Sequence, residues 1–199
     1  MTLRTSYCRR TISCMTPSRS AVVKDYIRFA LIALLIVVPI RWFVAQPFFV
    51  RGESMIPTFH NNEYLIVDQL TYQFEEPKRG DVIIMRYPKD ESTFFIKRII
   101  GLPNETIELQ GLHVIVHQEG KEPITLDEPY IETKRTRNEF KSYILGPDEY
   151  FVMGDNRYAS SDSRSWGNLP RKDIIGRALF RMFPPDKFDV FPGIAELPQ

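Results

Sequence analysis

From Phe29 to Ile40 the chain reads FALIALLIVVPI, twelve residues without one polar side chain, and Arg41 breaks the run before WFVAQPFFV resumes it. As a helix, twelve residues rise only ~18 Å, short of a hydrocarbon core of roughly 30 Å. A span must therefore borrow from its flanks, with Arg28 and Arg41 snorkelling to the two interfaces and Trp42 suited to the outer one. Pro39 is tolerable near the end of such a helix. A basic arm before an apolar stretch also describes a cleavable leader. The exit RWFVAQP, however, puts Phe43 and Ala45 where two small residues are wanted, which favours an uncleaved anchor. Both readings hold the arm inside and carry everything after about residue 45 across the membrane.

Charge supports this division. Residues 1–28 carry six Lys or Arg (Arg4, Arg9, Arg10, Arg19, Lys24, Arg28) against Asp25 alone, while the remainder holds 20 basic and 24 acidic residues. A mildly acidic remainder offers no broad basic surface, so nucleic acid is not an expected partner. The two cysteines, Cys8 and Cys14, lie in the arm without a His or Cys at metal-ligand spacing and read as incidental. At 199 residues the expectation is a basic cytoplasmic arm over 1–25, expected to be disordered, a transmembrane anchor over 26–46 and one extracytoplasmic domain over 47–199.

After the anchor the pattern changes to short alternating runs. EYLIVDQL, DVIIMRY, TFFIKRIIGL, ETIELQ, LHVIVHQ and EYFVMGD have the length and composition of strands, divided by turn residues such as EPKRGD, YPKDES and GLPNE. The fold class expected is mainly β, a coiled antiparallel sheet behind a single N-terminal helix, with at most a turn of helix near PRKDII. ETKRTRNEFKS reads as a solvated connection.

Three histidines are available for a Ser-His-Asp arrangement. His113 and His117 fall on a strand-like run that would set them ~13 Å apart, too far to share an ion, and His60 sits in a turn. A serine in GESMIPT would then lack a histidine base. A lysine can serve if burial keeps it neutral. In STFFIKRIIGLP, strand alternation sends Phe95, Lys97 and Ile99 to one face and Ile96, Arg98 and Ile100 to the other. Either one basic residue is sunk among apolar neighbours, or one face is solvated and Lys97 snorkels. Downstream, VMGDNRYASSDSRSWG reads as a tight loop dense in hydrogen-bonding side chains, with Asp155–Arg157 and Asp162–Arg164 as candidate ion pairs.

Taken together, GESMIPT, RGDVIIMRYP, FIKRIIGLPNE and GDNRYASSDSR, in this order behind one anchor, closely resemble the boxes of the bacterial type I signal (leader) peptidases, a match running from about residue 24 to 185. The resemblance implies Ser54 as nucleophile and Lys97 as general base. It puts Ser160 beside the lysine amine, an Asp162–Arg164 salt bridge in support, and Asp155 and Asn156 in shaping the loop. It implies an oxyanion hole made by the Ser54 N–H and a donor two residues earlier. Some relatives carry a serine there and this chain has Gly52, so that donor would be backbone or water. Val50, Met55, Phe95 and Ile96 would line shallow pockets for small side chains one and three places before the cut, the Ala-X-Ala rule.

Exported preproteins and membrane lipid are the partners implied, with no cofactor or metal, a monomeric chain, and residence in a bacterial cell membrane or thylakoid membrane with the catalytic domain outside. The short connection between the lysine box and the last box implies that the large accessory β domain of some relatives is reduced or missing. A self-cleaving repressor with a similar dyad would need a helical DNA-binding domain, which residues 1–28 cannot form. An inactive membrane-tethered β module that binds peptides or envelope partners is the rival of another class.

Overall fold

The structure is a computed structural model, which describes residues 19–39, 45–132 and 138–199. Cys8, Cys14, Arg41, Trp42, Phe43 and the middle of the ETKRTRNEFKS connection, 133–137, lie outside the described residues. A helix, α1 (Arg19–Pro39), forms a unit of its own, divided after Pro39 from the rest of the chain. Its second half is the apolar run, while Lys24, Asp25 and Arg28 fall in its first half. Among the described residues, no helix is long and apolar enough to cross a membrane.

The second unit is built from strands. In chain order these are β1 (Ala45–Phe49), β2 (Tyr64–Asp68), β3 (Val82–Tyr87), β4 (Asp90–Gly101), β5 (Thr106–Gly111), β6 (His113–His117), β7 (Ile124–Thr125), β8 (Glu139–Ile144) and β9 (Glu149–Met153). A one-turn helix, α2 (Ser163–Trp166), precedes β10 (Leu169–Pro170), β11 (Ile174–Phe183) and β12 (Asp189–Val190). All described pairings are antiparallel. The larger sheet runs β1-β2-β11-β3-β4-β9-β10, with β12 on β11, and the smaller β7-β6-β5-β8.

The expected strands all form, and six more were not foreseen, of which β7, β10 and β12 are only two residues long. Ala45 and Gln46 begin β1 instead of ending the anchor, β8 takes up part of the polar connection, and β11 lies inside the larger sheet between β2 and β3. Near PRKDII there is a short 3-10 turn, Arg171–Asp173. Both faces of the larger sheet are covered. One face holds Val50, Met55, Phe59, Leu65 and Ile96; another cluster holds Tyr72, Ile83, Met85, Ile99 and Val152. A third cluster joins Ile100 and Phe151 to Ile107, Val114 and Val116 of the smaller sheet.

This double coverage decides the question posed by β4. Every residue from Ile96 to Gly101 is buried, so neither face is solvated and Lys97 does not snorkel. Lys97 is 3% exposed and Arg98 0%. Two adjacent basic residues are thus held in the interior on opposite faces, and each needs a partner or a lost proton.

Candidate active site

Ser54 stands in the turn that follows β1, half-buried, above β4. Lys97 Nζ lies 2.8 Å from Ser54 Oγ and 2.8 Å from the Ile96 carbonyl oxygen. The ring of Phe95 approaches the amine at 5.0 Å from its centroid. Burial is the largest influence on Lys97 and disfavours its charge; Asp162 and Asp155 pull the other way and do not win. The amine is brought down from 10.5 to about 8.

The loop after β9 closes on this pair from the other side. Asn156 N–H donates to the Ser54 carbonyl at 3.0 Å, and Asn156 Nδ2 donates to the Glu53 carbonyl at 3.1 Å. Gly154 lets the loop come this near, because a Cβ there would lie 2.4 Å from Ser54 O and 2.3 Å from Ser160 Oγ. Ser160 Oγ is buried without a hydrogen bond of good geometry, yet it stands close enough to Asp162 to help hold that carboxyl down.

Burial alone would raise the Asp162 carboxyl. Hydrogen bonds and charge from Arg164, with the Gly154 N–H and the Ser160 hydroxyl, outweigh it and leave it below the ordinary range. Arg164 reaches Asp162 with Nε at 2.8 Å and Nη2 at 2.9 Å, and also Glu139 and the Arg157 carbonyl.

The other expected pair is different. Asp155 is held by Arg98, through Nε at 2.8 Å and Nη2 at 2.7 Å, and not by Arg157, which pairs with Glu128 across the loop. The reason is burial: Arg98, locked inside β4, must find a carboxylate, and Asp155 also accepts from Thr58 Oγ1. Arg98 further donates to the carbonyls of Gly80 and Gly193 and lies 3.9 Å from the Tyr130 ring centroid. Thr58, Gly154 and Glu128 carry no signal in the sequence, and the role of Arg98 as partner of Asp155 is not legible there. Arg98 left a signal only as the second charge in an apolar strand.

Gly52 has φ +94°, a conformation that side-chain-bearing residues resist, and its N–H donates to Asn61 Oδ1 at 3.2 Å. The N–H groups of Glu53, Ser54 and Met55 have no partner among the described residues. A cavity of about 320 Å³ opens beside Ser54, lined by Val50, Phe95 and Ile96 together with Phe48, Phe94 and Ile84. Met55 does not line it; it is buried in the core below.

The backbone around the cavity is open as well. From Phe94 to Lys97, β4 pairs only with β3, since its pairing with β9 begins at Arg98. A strand edge facing the Ser54 turn invites an extended peptide. His113 and His117 lie on β6, with His117 paired to Glu108, and His60 faces Glu63. None of the three hydrogen-bonds Ser54, and no cluster of potential metal ligands occurs among the described residues.

Residues 23–183 match the family model described as signal peptidase, peptidase S26. The chain is 37% identical over 180 residues to a probable signal peptidase I-1 from Synechocystis, covering 86% of this chain and 88% of the relative. It is 34% identical to a signal peptidase I from Leptolyngbya laminosa, covering 86% and 85%. It is 37% identical to a signal peptidase I P from Bacillus subtilis subsp. natto, covering 82% and 90%.

Proposed function

Because the chain belongs to the signal peptidase family, peptidase S26, we propose that it removes N-terminal signal peptides from exported preproteins by a Ser54–Lys97 dyad. The observation that carries the chemistry is the 2.8 Å approach of a buried, depressed lysine amine to a serine hydroxyl that no histidine contacts. In the neutral form Lys97 accepts the Ser54 proton as the oxygen attacks the scissile carbonyl, and the ammonium so formed donates that proton to the leaving amine. Water then takes the place of the amine, Lys97 removes its proton, and the acyl group leaves Ser54 as a carboxylic acid.

Charge that develops on the carbonyl oxygen falls to the free Ser54 N–H. The Gly52 N–H is engaged with Asn61, so it joins the hole only if that bond is exchanged. Asp162, fixed by Arg164, and Asp155, fixed by Arg98, favour the charged form of Lys97, Ser160 stands beside Asp162, and Asn156 holds the serine side.

The peptide binds as an added strand between the β4 edge and residues 50–53, and its small side chains enter the cavity floor at Val50 and Ile96. The apolar run from Phe29, with residues on either side, anchors the chain, the basic arm stays inside, and the exposed Phe49 and Phe94 rest in the membrane interface. Mass spectrometry of the products tests the specificity. Cleavage of a preprotein is expected after an Ala-X-Ala site and lost when either alanine becomes leucine. A cut that ignores both changes contradicts the pocket assignment.

A further inference from the structure

We infer that Arg51 selects for an acidic side chain at the substrate position between the two small residues, an inference that rests on the signal peptidase reading of the same cavity. Arg51 and Lys97 are the charged residues that line it, and no carboxylate does. Lys97 is buried at the cavity floor and engaged with Ser54 Oγ and the Ile96 carbonyl, whereas Arg51 is exposed and makes no ion pair among the described residues. The rim therefore carries a fixed positive charge that the protein itself does not compensate.

The backbone places this charge. Val50 is tied on both sides, its N–H to the Glu63 carbonyl and its carbonyl to the Asn62 N–H, and its side chain is buried. Arg51, the next residue, leaves its own N–H and carbonyl without partners among the described residues. A peptide docked along this stretch and the β4 edge alternates its side chains. Those one and three places before the cut turn inward to Val50 and Ile96; the one between them turns outward, to the rim where Arg51 stands.

Arg51 shares this rim with Phe48, Phe49 and Phe94 and with no carboxylate, so an acidic side chain there is attracted and an ammonium repelled. A partly exposed pair is worth about two- to five-fold in kcat/KM, and salt weakens it.

Phe49 and Phe94 are exposed, and an anionic lipid headgroup is another carboxylate or phosphate that Arg51 can meet. The cavity lining favours the peptide, because Arg51 shares that cavity with Ser54.

The test uses the full chain, in neutral detergent and in vesicles with or without an anionic lipid, and three preproteins that differ only in Glu, Gln or Lys between the alanines. Ratios of kcat/KM within each enzyme remove any common loss. Wild type is expected to rank Glu over Gln over Lys, each step about two- to five-fold, Arg51→Glu to reverse the order, and added salt to compress both. Equal rates on all three substrates, or an unchanged order in Arg51→Glu, overturn the inference. A loss alike for all substrates that appears only with anionic lipid assigns Arg51 to the membrane instead. Wild type that cleaves none of the three brings down the signal peptidase reading itself, and this inference with it.

Discussion

At the scale of single residues, the site turns on what burial does to Lys97. In the folded chain its amine titrates near 8, so kcat/KM is expected to fall about tenfold per pH unit below pH ~7 and to level off above about 9. A flat profile from pH 9 to 5 contradicts a lysine base. The same depression costs stability. Between about 8 and 10.5 the unfolded chain keeps a proton that the folded chain has lost, so stability rises with pH across that window. Below it both states are protonated and the whole cost of the buried charge, about 3 kcal/mol, is present. Lys97→Met should therefore be inactive yet melt higher than wild type at pH 7, with the gap closing above pH ~10; a lower Tm at pH 7 contradicts this. Gly52 bears on the oxyanion hole in a way the sequence did not reveal. Its φ of +94° resists a side chain, so Gly52→Ser is expected to slow cleavage rather than add a useful hydroxyl. A faster Gly52→Ser enzyme contradicts that.

Elements bring these residues together, and two of them were hard to read. The pairing edge of β4 changes at Arg98: before it the strand is open to a peptide, after it β9 is seated. Alternation in FFIKRIIG left two readings open, a basic residue sunk among apolar neighbours or one solvated face; with both faces covered, Lys97 and Arg98 are both interior. The loop 154–164 was legible as a hydrogen-bonding loop, but not its partners, since Asp155 reaches back 57 residues to Arg98 rather than two forward to Arg157. Gly154 shows how tightly the loop sits. A Cβ there collides with Ser54 O and Ser160 Oγ, so Gly154→Ala should cut kcat/KM about 10²-fold in a chain that still folds. Activity within threefold of wild type contradicts the close approach. The tail lies outside the matched residues 23–183, yet it supports the site. Leu197 is buried in the core shared by the two sheets, Gln199 and Pro198 hydrogen-bond Arg79, and Gly193 accepts from Arg98. Leu197→Ala is expected to lose about 2–5 kcal/mol in urea unfolding; an unchanged midpoint contradicts a supporting role for the tail.

Across the whole molecule, the order of parts was legible and their joints were not. The apolar run and the turn-punctuated β pattern marked a helix followed by a β domain, because hydropathy and period are local properties. β11 escaped notice because Arg177 and Arg181 interrupt its alternation, although each is drawn toward an acidic residue, Asp68 and Glu63. The proposed anchor makes a prediction at this scale: the full chain should sediment with membranes, resist alkaline carbonate and be released by detergent. Release by carbonate contradicts a span. The central claim is that Ser54 and Lys97 act as one dyad on signal peptides, and its most direct measurement is cleavage of a preprotein with an Ala-X-Ala site by the detergent-solubilised full chain, with Ser54→Ala and Lys97→Ala alongside. The account predicts one cut, after the second alanine, by wild type, and no detectable cleavage by either variant. Cleavage that survives in either variant at a wild-type rate would contradict the dyad, and a wild type inactive on several such substrates would favour a tethered peptide-binding module.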